Sequence, residues 1–433
     1  MKDTKHRKLS AGTVFMLIML AIVLSGSAMV ILRLSSGASV NLDKLKMNAL
    51  NIRTDSSGNT EEASQKQSSE DQSPKVQGSA VPSAEEKRQT TKTEGSSFTL
   101  TLGGSIALTG EVRKNCWNTD SKVADYADIM LLLRPHIHSD VNIVFCENII
   151  SNQYKSSDTV APESAVTLLQ EAGFSMAACG FGQIYSNGKN GIEETLSALS
   201  RQGIQALGIL SENETGKPEI KTVNGVRAAF LQYTATIPSK TRKSMEKEET
   251  SGMVPEAEID LITEQIDEAR ANGAEAVIVL INWGKTGKEP DKTQRELAEK
   301  IAQSGADLIV GNGSHIPQKA EYLSGRDGGS VLCVWSLGTL LSGDRSNIKR
   351  ISGYLMHVTI KSNGSGGADV LNPEYTPVYT WKYKQDSRFY YRCIHSGGEA
   401  PDGMDSEQKK MMEKSAATVD TVLQDTPLTL REN

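Results

Sequence analysis

The chain has 433 residues and a net charge of −6. It shows no basic patch interleaved with aromatic residues, which argues against a nucleic-acid partner. No aromatic residue occurs between Phe15 and Phe98. We therefore expect only the part after about Ser97 to bury a core.

Thr13 to Leu32 carries no charge and has about the 20 residues that an α-helix needs to cross a bilayer. Basic residues are frequent before this run, whereas Arg33 alone follows it immediately. The positive-inside rule then predicts a cytoplasmic segment at 1–12, an uncleaved single-pass anchor at 13–33 and an extracytoplasmic main domain. A cleaved signal peptide is the alternative, because Ser25-Gly26-Ser27-Ala28 has the small residues of a cleavage site.

Residues 34–96 are dominated by Ser, Glu, Lys, Gln and Thr. Such a segment buries too little apolar surface to offset its chain entropy, so we predict a disordered polar linker. At the other end, we predict that 385–433 forms a C-terminal extension. Its polar helix, from about Asp405 to Gln424, is expected to pack weakly or to extend as an arm.

The five cysteines include no C-x-x-C pair. Cys146, Cys179 and Cys333 lie in apolar, strand-like runs, where a free cysteine behaves as a small buried apolar residue. Cys116 and Cys393 are left open as either a disulfide pair or two free thiols.

The part from 97 to 384 alternates predicted strands with predicted helices. Helices 256–272 and 293–304 each end at a glycine, Gly273 and Gly305, and each is followed by an apolar strand. Further buried strands are predicted at 98–102, 141–146 and 176–179. This alternation is typical of right-handed crossovers and of an α/β fold with at least partly parallel strands. After Gly353, alternating strands at 354–361 and 375–383 predict a mixed or antiparallel second sheet.

The run Gly311-Asn312-Gly313-Ser314-His315 follows the apolar stretch Asp307 to Val310. It therefore lies where an open α/β sheet presents its ligand site, outside the carboxyl end of a strand. Of the six histidines, only His315 has this Gly-flanked setting. His136 and His138 alternate in a way that weakly suggests a metal site, whereas His357 is interpreted as an ordinary strand residue.

Several motifs occur in one order and spacing: Gly173-Phe174, Gly191-Ile192, Gly203-Ile204, Trp283-Gly284, Gly305 to Gly311, Pro317-Gln318 and Ser336-Leu337-Gly338. In these the sequence resembles the CapA family of capsule or poly-γ-glutamate synthesis proteins, whose fold is similar to calcineurin-like metallophosphoesterases. The resemblance implies a four-layer α-β-β-α sandwich at 97–384. It also implies a cell-membrane protein for synthesis or export of an anionic surface polymer or polysaccharide, with membrane synthesis or export proteins as partners.

The chain departs from the family pattern at the strand ends that would hold metal ions. The family's Gly-Asp is Gly104-Ser105 here, its Asn-Leu-Glu corresponds to Glu147-Asn148-Ile149, and its Asn-Asn-His becomes Phe181-Gly182-Gln183. Its His-Trp-Gly becomes Asn282-Trp283-Gly284, its Gly-His-x-Pro-His becomes the run ending at His315, and its Ser-Leu-Gly-Asn ends in Thr339. Only Glu147 and His315 remain as strong donors, and both are weak metal candidates.

A two-metal hydrolytic centre needs several anionic oxygens and neutral imidazoles to hold cations about 4 Å apart. We therefore expect no resident cofactor beyond a weakly bound divalent cation such as Ca²⁺ or Mg²⁺. Neutral polar groups suit recognition better than water activation, and a serine nucleophile at Ser105 has weak support. The predicted polymer-binding cleft comprises Ser105, Glu147, Asn148, Gln183, Asn282, Trp283, Asn312 and His315.

The prediction is thus a binding or scaffolding domain that has lost metal catalysis. The alternative is an active, divalent-metal-dependent, phosphoesterase-like hydrolase or transferase with a drifted site. A third interpretation is an adhesive or structural wall protein. Trp283 is expected to pack the wall of the cleft or to stack on a sugar ring.

Overall fold

The structure is a computed structural model that describes residues 95–431, apart from 119–122, 213, 215, 249 and 386. The chain divides into two units, Met1–Lys87 and Arg88–Asn433, and every described residue belongs to the second. The predicted membrane span at 13–33 lies outside the described residues, as does nearly all of the linker. Within the described part, no helix has the length and apolar character needed to cross a membrane.

The described strands are mostly short and apolar. In chain order they are β1 (Ser97–Ile106), β2 (Trp117–Asn118), β3 (Val123–Ala124), β4 (Val141–Cys146), β5 (Ile149–Ile150), β6 (Val160–Ala161), β7 (Met176–Ala178), β8 (Gln205–Leu207), β9 (Ile220–Val223), β10 (Val226–Thr234), β11 (Ala276–Asn282), β12 (Leu308–Asn312), β13 (Ala320–Ser324), β14 (Ser330–Val334), β15 (Thr339–Leu341), β16 (Ser352–Ser362), β17 (Ala368–Gln385), β18 (Arg388–His395) and β19 (Thr429–Leu430).

The described α-helices are α1 (Gly110–Asn115), α2 (Val166–Ala172), α3 (Gly188–Arg201), α4 (Ser239–Lys247), α5 (Ile259–Ala271), α6 (Lys292–Gln303) and α7 (Ser406–Leu423). Their ends follow local chemistry. Asp291 and Gln294 form a capping box at the start of α6. The predicted glycines Gly273 and Gly305 follow α5 and α6 in the left-handed region, with φ of 87° and 103°.

The first sheet has the order β18-β17-β16-β1-β4-β7-β8, with β15 beside β1 and β19 beside β17. Strands β1, β4, β7 and β8 run parallel, and β16, β17 and β18 continue the sheet in antiparallel fashion. The second sheet has the order β13-β14-β12-β11-β10-β9. Its four central strands are parallel and its two edge strands are antiparallel. The predicted α/β class is therefore confirmed.

Apolar clusters show how the layers stack. One cluster lies between the sheets and includes Leu100, Ile143, Ile278 and Leu308. Because successive side chains of a strand point to opposite faces, the neighbouring residues face the helices. Val144 of β4 packs in a cluster with residues of α2 and α3. The third cluster combines Val279 of β11 with residues of α5 and α6. The layers follow as helices, first sheet, second sheet and helices.

The strands after Gly353 differ from the prediction. They form no second sheet of their own, because β16 pairs with β1 and so extends the first sheet. The domain boundary predicted at residue 384 falls near the turn of the β17–β18 hairpin. The second sheet is instead built around β11 and β12. Strand β10, which lies beside β11 in this sheet, was not predicted from the sequence.

The C-terminal helix is integrated rather than extended as an arm. Helix α7 buries Met412, Ser415, Val419 and Leu423, and the hydroxyls of Ser415 and Ser352 lie 2.7 Å apart. Its buried apolar stripe therefore covers part of the sheet that contains β16 and β17.

All five cysteines are free thiols, so the pairing of Cys116 with Cys393 that the sequence left open does not occur in this structure. Cys116 Sγ donates to the carbonyl oxygen of Val112 at 3.3 Å. Cys393 Sγ donates to the carbonyl oxygen of Leu340 at 3.0 Å. Each thiol thus has its own backbone partner.

Candidate functional site

Four predicted site residues meet where the carboxyl ends of parallel strands from both sheets converge. Ser105 Oγ donates to Glu147 Oε1 at 2.7 Å, and the side-chain amide of Asn312 lies 2.6 Å from the same Oγ. His315 Nε2 lies 3.3 Å from Glu147 Oε2. We call Ser105, Glu147, Asn312 and His315 the polar cluster.

A bulge in β1 places Ser105 in this cluster. Gly103 pairs with Val144 and Ser105 with Phe145, so Gly104 is an extra residue in the strand. Bulges of this kind re-aim a side chain at the end of a strand. A Cβ atom at residue 104 would lie 2.3 Å from the carbonyl oxygen of Gly338, so the close approach requires glycine.

The turn after β12 presents His315. Its backbone is left-handed, with a φ of 56°, and Thr339 Oγ1 donates to its carbonyl oxygen at 3.1 Å. A left-handed non-glycine residue is uncommon. The surroundings therefore hold this backbone in place and direct the imidazole toward Glu147.

Asn312 braces the cluster from inside the protein. It is fully buried, and its side chain lies 3.0 Å from Ser336 Oγ as well as next to Ser105. Ser336 and Thr339 were not predicted as site residues. The Ser336-Leu337-Gly338 motif was the only signal in the sequence that pointed toward them.

Asn282 lies beside Asn312 of the polar cluster, and Gln183 is one segment further away. Asn282 pairs in register with Asn312 and accepts a hydrogen bond from Thr236 Oγ1 at 2.8 Å. A Cβ atom at Gly182 would lie 2.6 Å from the carbonyl oxygen of Thr236, which brings the segment before Gln183 alongside. Gln183 itself is exposed. Thr236, which connects these two segments, had no distinguishing signal in the sequence.

Asn148 and Trp283 have other surroundings. The side chain of Asn148 accepts from the backbone N–H of Leu108 at 2.8 Å and is fully buried. Trp283 stacks on Trp335 with ring centroids 5.3 Å apart. Both rings belong to the apolar cluster between the second sheet and helices α5 and α6. Trp283 is 1% exposed, so of its two expected roles the packing role fits this burial and stacking on a sugar ring does not.

Burial separates the eight predicted residues into two groups. Five are buried and stabilise the edge from within: Ser105, Asn148, Asn282, Trp283 and Asn312. The side chain of His315 is 23% exposed and that of Glu147 9%, and Gln183 is exposed. Only the last three can touch a large ligand without rearrangement, and their binding of a polymer stays a prediction.

Other reactive residue types lie outside the cluster. His136 lies in the 3-10 helix Arg134–His136, and its ring packs edge-on against that of His395 at 4.8 Å. His138 Nδ1 lies 2.8 Å from the carbonyl oxygen of Pro135. Behind the cluster, a hydrogen bond with Cys146 and burial both raise the pKa of Cys179, so this thiol is neutral and a poor nucleophile.

The donor set does not fit a two-metal centre. Nowhere in the described ranges do three His, Cys, Asp or Glu side chains group so that they could hold a metal ion. In the polar cluster one carboxylate and one imidazole are accompanied by a hydroxyl and an amide, which hold each other. Hydroxyl and amide groups are weak, neutral ligands for transition metals.

Residues 99–344 match the profile of the family described as "Bacterial capsule synthesis protein PGA_cap". The chain belongs to this family. The match spans more than half of the chain and contains every member of the polar cluster, so the predicted CapA family is confirmed. The PGA_cap match ends before β16, so the antiparallel part of the first sheet and α7 lie beyond it.

Two curated relatives of this PGA_cap chain are known. It is 26% identical over 228 residues to the PGA biosynthesis protein CapA of Bacillus subtilis strain 168, covering 52% of this chain and 57% of the relative. It is also 26% identical over 215 residues to the capsule biosynthesis protein CapA of Bacillus anthracis, covering 49% and 50%. The chain therefore spans about half the length of these curated relatives.

Solved structures are similar at low TM-scores. They include a hypothetical protein from Thermus thermophilus (TM-score 0.38, 13% identity, 64% of this chain and 99% of that one). The calcineurin-like phosphoesterase YfkN from Bacillus subtilis gives 0.37 and 12%, over 76% and 99%. A putative 5'-nucleotidase from Staphylococcus aureus gives 0.40 and 10%, over 74% and 58%.

Proposed function

We propose that this PGA_cap protein is anchored in the cell membrane and acts outside the cytoplasm in synthesis or export of an anionic, poly-γ-glutamate-type surface polymer. Its role is to bind or scaffold the polymer and its membrane partners, without metal catalysis. The anchor rests on the uncharged run from Thr13 to Leu32. The process rests on family membership and on the names of the two CapA relatives.

One observation carries the noncatalytic role: the chemical composition of the polar cluster. Ser105 and Asn312 are buried and hydrogen-bonded to each other, so they are unavailable to a substrate. Without their oxygens, Glu147 and His315 alone would have to hold and neutralise two cations. The same pair suits recognition, because it offers one acceptor and one imidazole at a strand-end crevice.

The accessible groups match an amide-linked chain in a definite way. Glu147 accepts from the N–H groups of such a chain, whereas His315 and the amide of Gln183 can donate to its carbonyl or carboxylate oxygens. Glu147 repels the carboxylates of the polymer, so it favours contacts with the backbone of the chain. His315 Nε2 lies 3.3 Å from Glu147 Oε2, so a donor and an acceptor reach the same part of the site.

The test uses the full chain in a neutral detergent and a fluorescent γ-linked glutamate oligomer. A hydrogen bond to a charged group contributes about 1.5–3 kcal/mol, so His315→Ala and Glu147→Ala, which remove the donor and the acceptor, should each weaken binding by about tenfold or more. Matched controls are His138→Ala and Glu299→Ala, at exposed positions outside the cluster. Neither control should change the affinity.

The same preparation distinguishes the alternatives. Metal analysis after incubation with Mn²⁺ should find less than one ion per chain. Activity assays of the same sample should find no hydrolysis of a phosphodiester or of the γ-linked oligomer. If the protein binds metal stoichiometrically and His315→Ala abolishes turnover, the alternative holds: a metal-dependent enzyme whose site residues differ from the family pattern. Oligomer binding that neither cleft substitution changes, with the fold intact, would favour the wall-protein interpretation.

A further inference from the structure

A cavity separate from the polar cluster lies where α7 meets β17 and the 3-10 helix Ile348–Ile351. Its volume is about 340 Å³, and Arg345, Lys382 and Lys414 all line it. Asn347 and Tyr379 add polar atoms to the same wall. All of these residues follow residue 344, where the family match ends.

Arg345 is the most unusual group in this cavity. Its Nη1 donates to the carbonyl oxygen of Thr380 at 2.7 Å, and, against the lowering by burial, a hydrogen-bond interaction with the Tyr379 side chain raises the pKa of the guanidinium. The buried Nη2 has no partner of normal hydrogen-bond geometry among the described residues. The guanidinium lies 6.0 Å from the ring centroid of Tyr379 and 5.7 Å from that of Tyr391. A buried donor without a partner is costly, so this nitrogen favours an acceptor from outside the chain.

The charges around Arg345 are predominantly positive. Lys382 forms an ion pair with Glu111, and against the effect of burial the same carboxylate raises the pKa of Arg345. Burial and Asp405 raise the pKa of Tyr379. The exposed Lys414 has no ion-pair partner within the described ranges. Burial lowers the pKa of Arg345 from its very high ordinary value, and Tyr379, Tyr391 and Glu111 act in the opposite direction. The guanidinium therefore stays charged at neutral pH.

The rest of the lining indicates which anion fits. Ile348, Ile351 and Met411 provide apolar surface beside the cationic groups. A bare inorganic ion would leave this apolar surface wet, whereas the methylene groups of an acidic side chain would cover it. A planar carboxylate also matches the fork of the guanidinium nitrogens.

We propose that Arg345, Lys382 and Lys414 form a binding site for a carboxylate carried on an aliphatic chain, as in a glutamate unit. The site is independent of the polar cluster, and only the identity of the acidic chain rests on the proposed function. It would give the folded part a second contact to an acidic polymer. Two such contacts on one chain raise the affinity for long polymers more than for short ones.

Calorimetric titration of the full chain with γ-linked triglutamate tests this site. The experiment is done in the His315→Ala background, so that failure of the cleft cannot imitate failure of this site. Arg345→Met should weaken binding by about tenfold or more, because it removes a charge-assisted pair. Lys414→Met, at an exposed position that does not endanger folding, should weaken it by about threefold.

Lys409→Met is the matched control, since it removes the same charge from an exposed position of α7 that does not line the cavity. It should leave the affinity unchanged. Equal affinity of the Arg345→Met, Lys414→Met and parent proteins would overturn the proposal. So would inorganic phosphate binding as tightly as triglutamate, or equally tight binding of the γ-linked trimer whose α-carboxylates are replaced by carboxamides.

Discussion

At the scale of single residues, His315 combines the features of a ligand-facing group. Its imidazole is partly exposed and lies 3.3 Å from Glu147, and its backbone is held at a φ of 56°. Backbone strain of this kind costs about 1–3 kcal/mol and persists where the surroundings determine it. Thr339, which bonds the carbonyl oxygen of His315, therefore positions the imidazole rather than contacting a ligand.

A second histidine makes the fold sensitive to acid. His357 is buried between Thr101 Oγ1 at 2.9 Å and Thr376 Oγ1 at 3.0 Å. Burial, with smaller effects from Arg431, His136 and His138, lowers its pKa to about 3. The unfolded chain, with a histidine pKa of about 6.5, binds the proton more readily. Stability should therefore fall as the pH drops below about 6.5, by about 1 kcal/mol per pH unit.

Urea unfolding at several pH values checks this expectation. His357→Gln, which keeps hydrogen-bonding atoms and does not titrate, should flatten the decline between about pH 6 and about pH 4. A smaller slope should remain, because burial also lowers the pKa of His395 to about 4. The exposed His138→Gln serves as control and should keep the full slope. An unchanged slope in His357→Gln would contradict the assignment.

The sequence named the members of the polar cluster as candidates but could not predict their convergence or their burial. Strand-end positions are readable from apolar runs, so Ser105, Glu147, Asn312 and His315 could be named as candidates, but their convergence is visible only in the structure. Whether a strand-end side chain faces ligand or interior depends on the opposite sheet and on a bulge. Neither leaves a periodic signal in the sequence, and for that reason the sequence left open whether Trp283 packs the wall or faces a ligand.

At the scale of elements, the bulge of β1 is the feature on which the site geometry depends. A Cβ atom at Gly104 would lie 2.3 Å from the oxygen and 2.9 Å from the carbon of the Gly338 carbonyl. Backbone atoms on both sides leave no flexible group to move. Gly104→Ala should therefore lower the free energy of unfolding by about 1–3 kcal/mol or more.

Urea denaturation measures this loss, with Gly252→Ala as the matched control. A Cβ atom at Gly252 would meet nothing within 4 Å, so that variant should change stability by less than about 0.5 kcal/mol. Gly104→Ala should also weaken oligomer binding, because Ser105 would no longer hold Glu147. A Gly104→Ala protein as stable as the parent would show that β1 and the Gly338 turn can separate without cost.

Elements with strong local signals were predicted well, and those without were missed. The strand Val141–Cys146 was predicted with its observed bounds, and helix α6 within one residue at each end. Helix α5 begins three residues later than predicted, because Glu256 forms a bridge with Thr234. Strand β10 was missed; its polar residues Gln232 and Thr234 are buried through contacts that only the tertiary structure creates.

At the scale of the whole molecule, the two sheets are joined by an apolar layer and by a polar clamp. Gln232 of β10 in the second sheet donates through Nε2 to the carbonyl oxygen of Gly180 at 2.7 Å. Its Oε1 accepts from the Gly180 N–H at 2.9 Å. Gly180 follows β7 of the first sheet, so one amide side chain satisfies buried backbone groups across the sandwich.

Gln232→Met tests how strongly this clamp couples the sheets. Methionine fills a similar volume but leaves the Gly180 N–H and carbonyl without partners, at about 1–3 kcal/mol for each buried group. The free energy of unfolding, measured in urea, should therefore fall by about 3 kcal/mol. Hydrogen exchange at the Gly180 amide should accelerate, while the amides in β11 keep their order of protection. Gln170→Met, at an exposed position of α2, is the control and should do neither. Gly180 directly precedes the segment that carries Gln183, so loss of the Gln232 hydrogen bonds should also weaken oligomer binding. Full stability and unchanged hydrogen exchange in Gln232→Met would mean that the apolar layer alone holds the two sheets together.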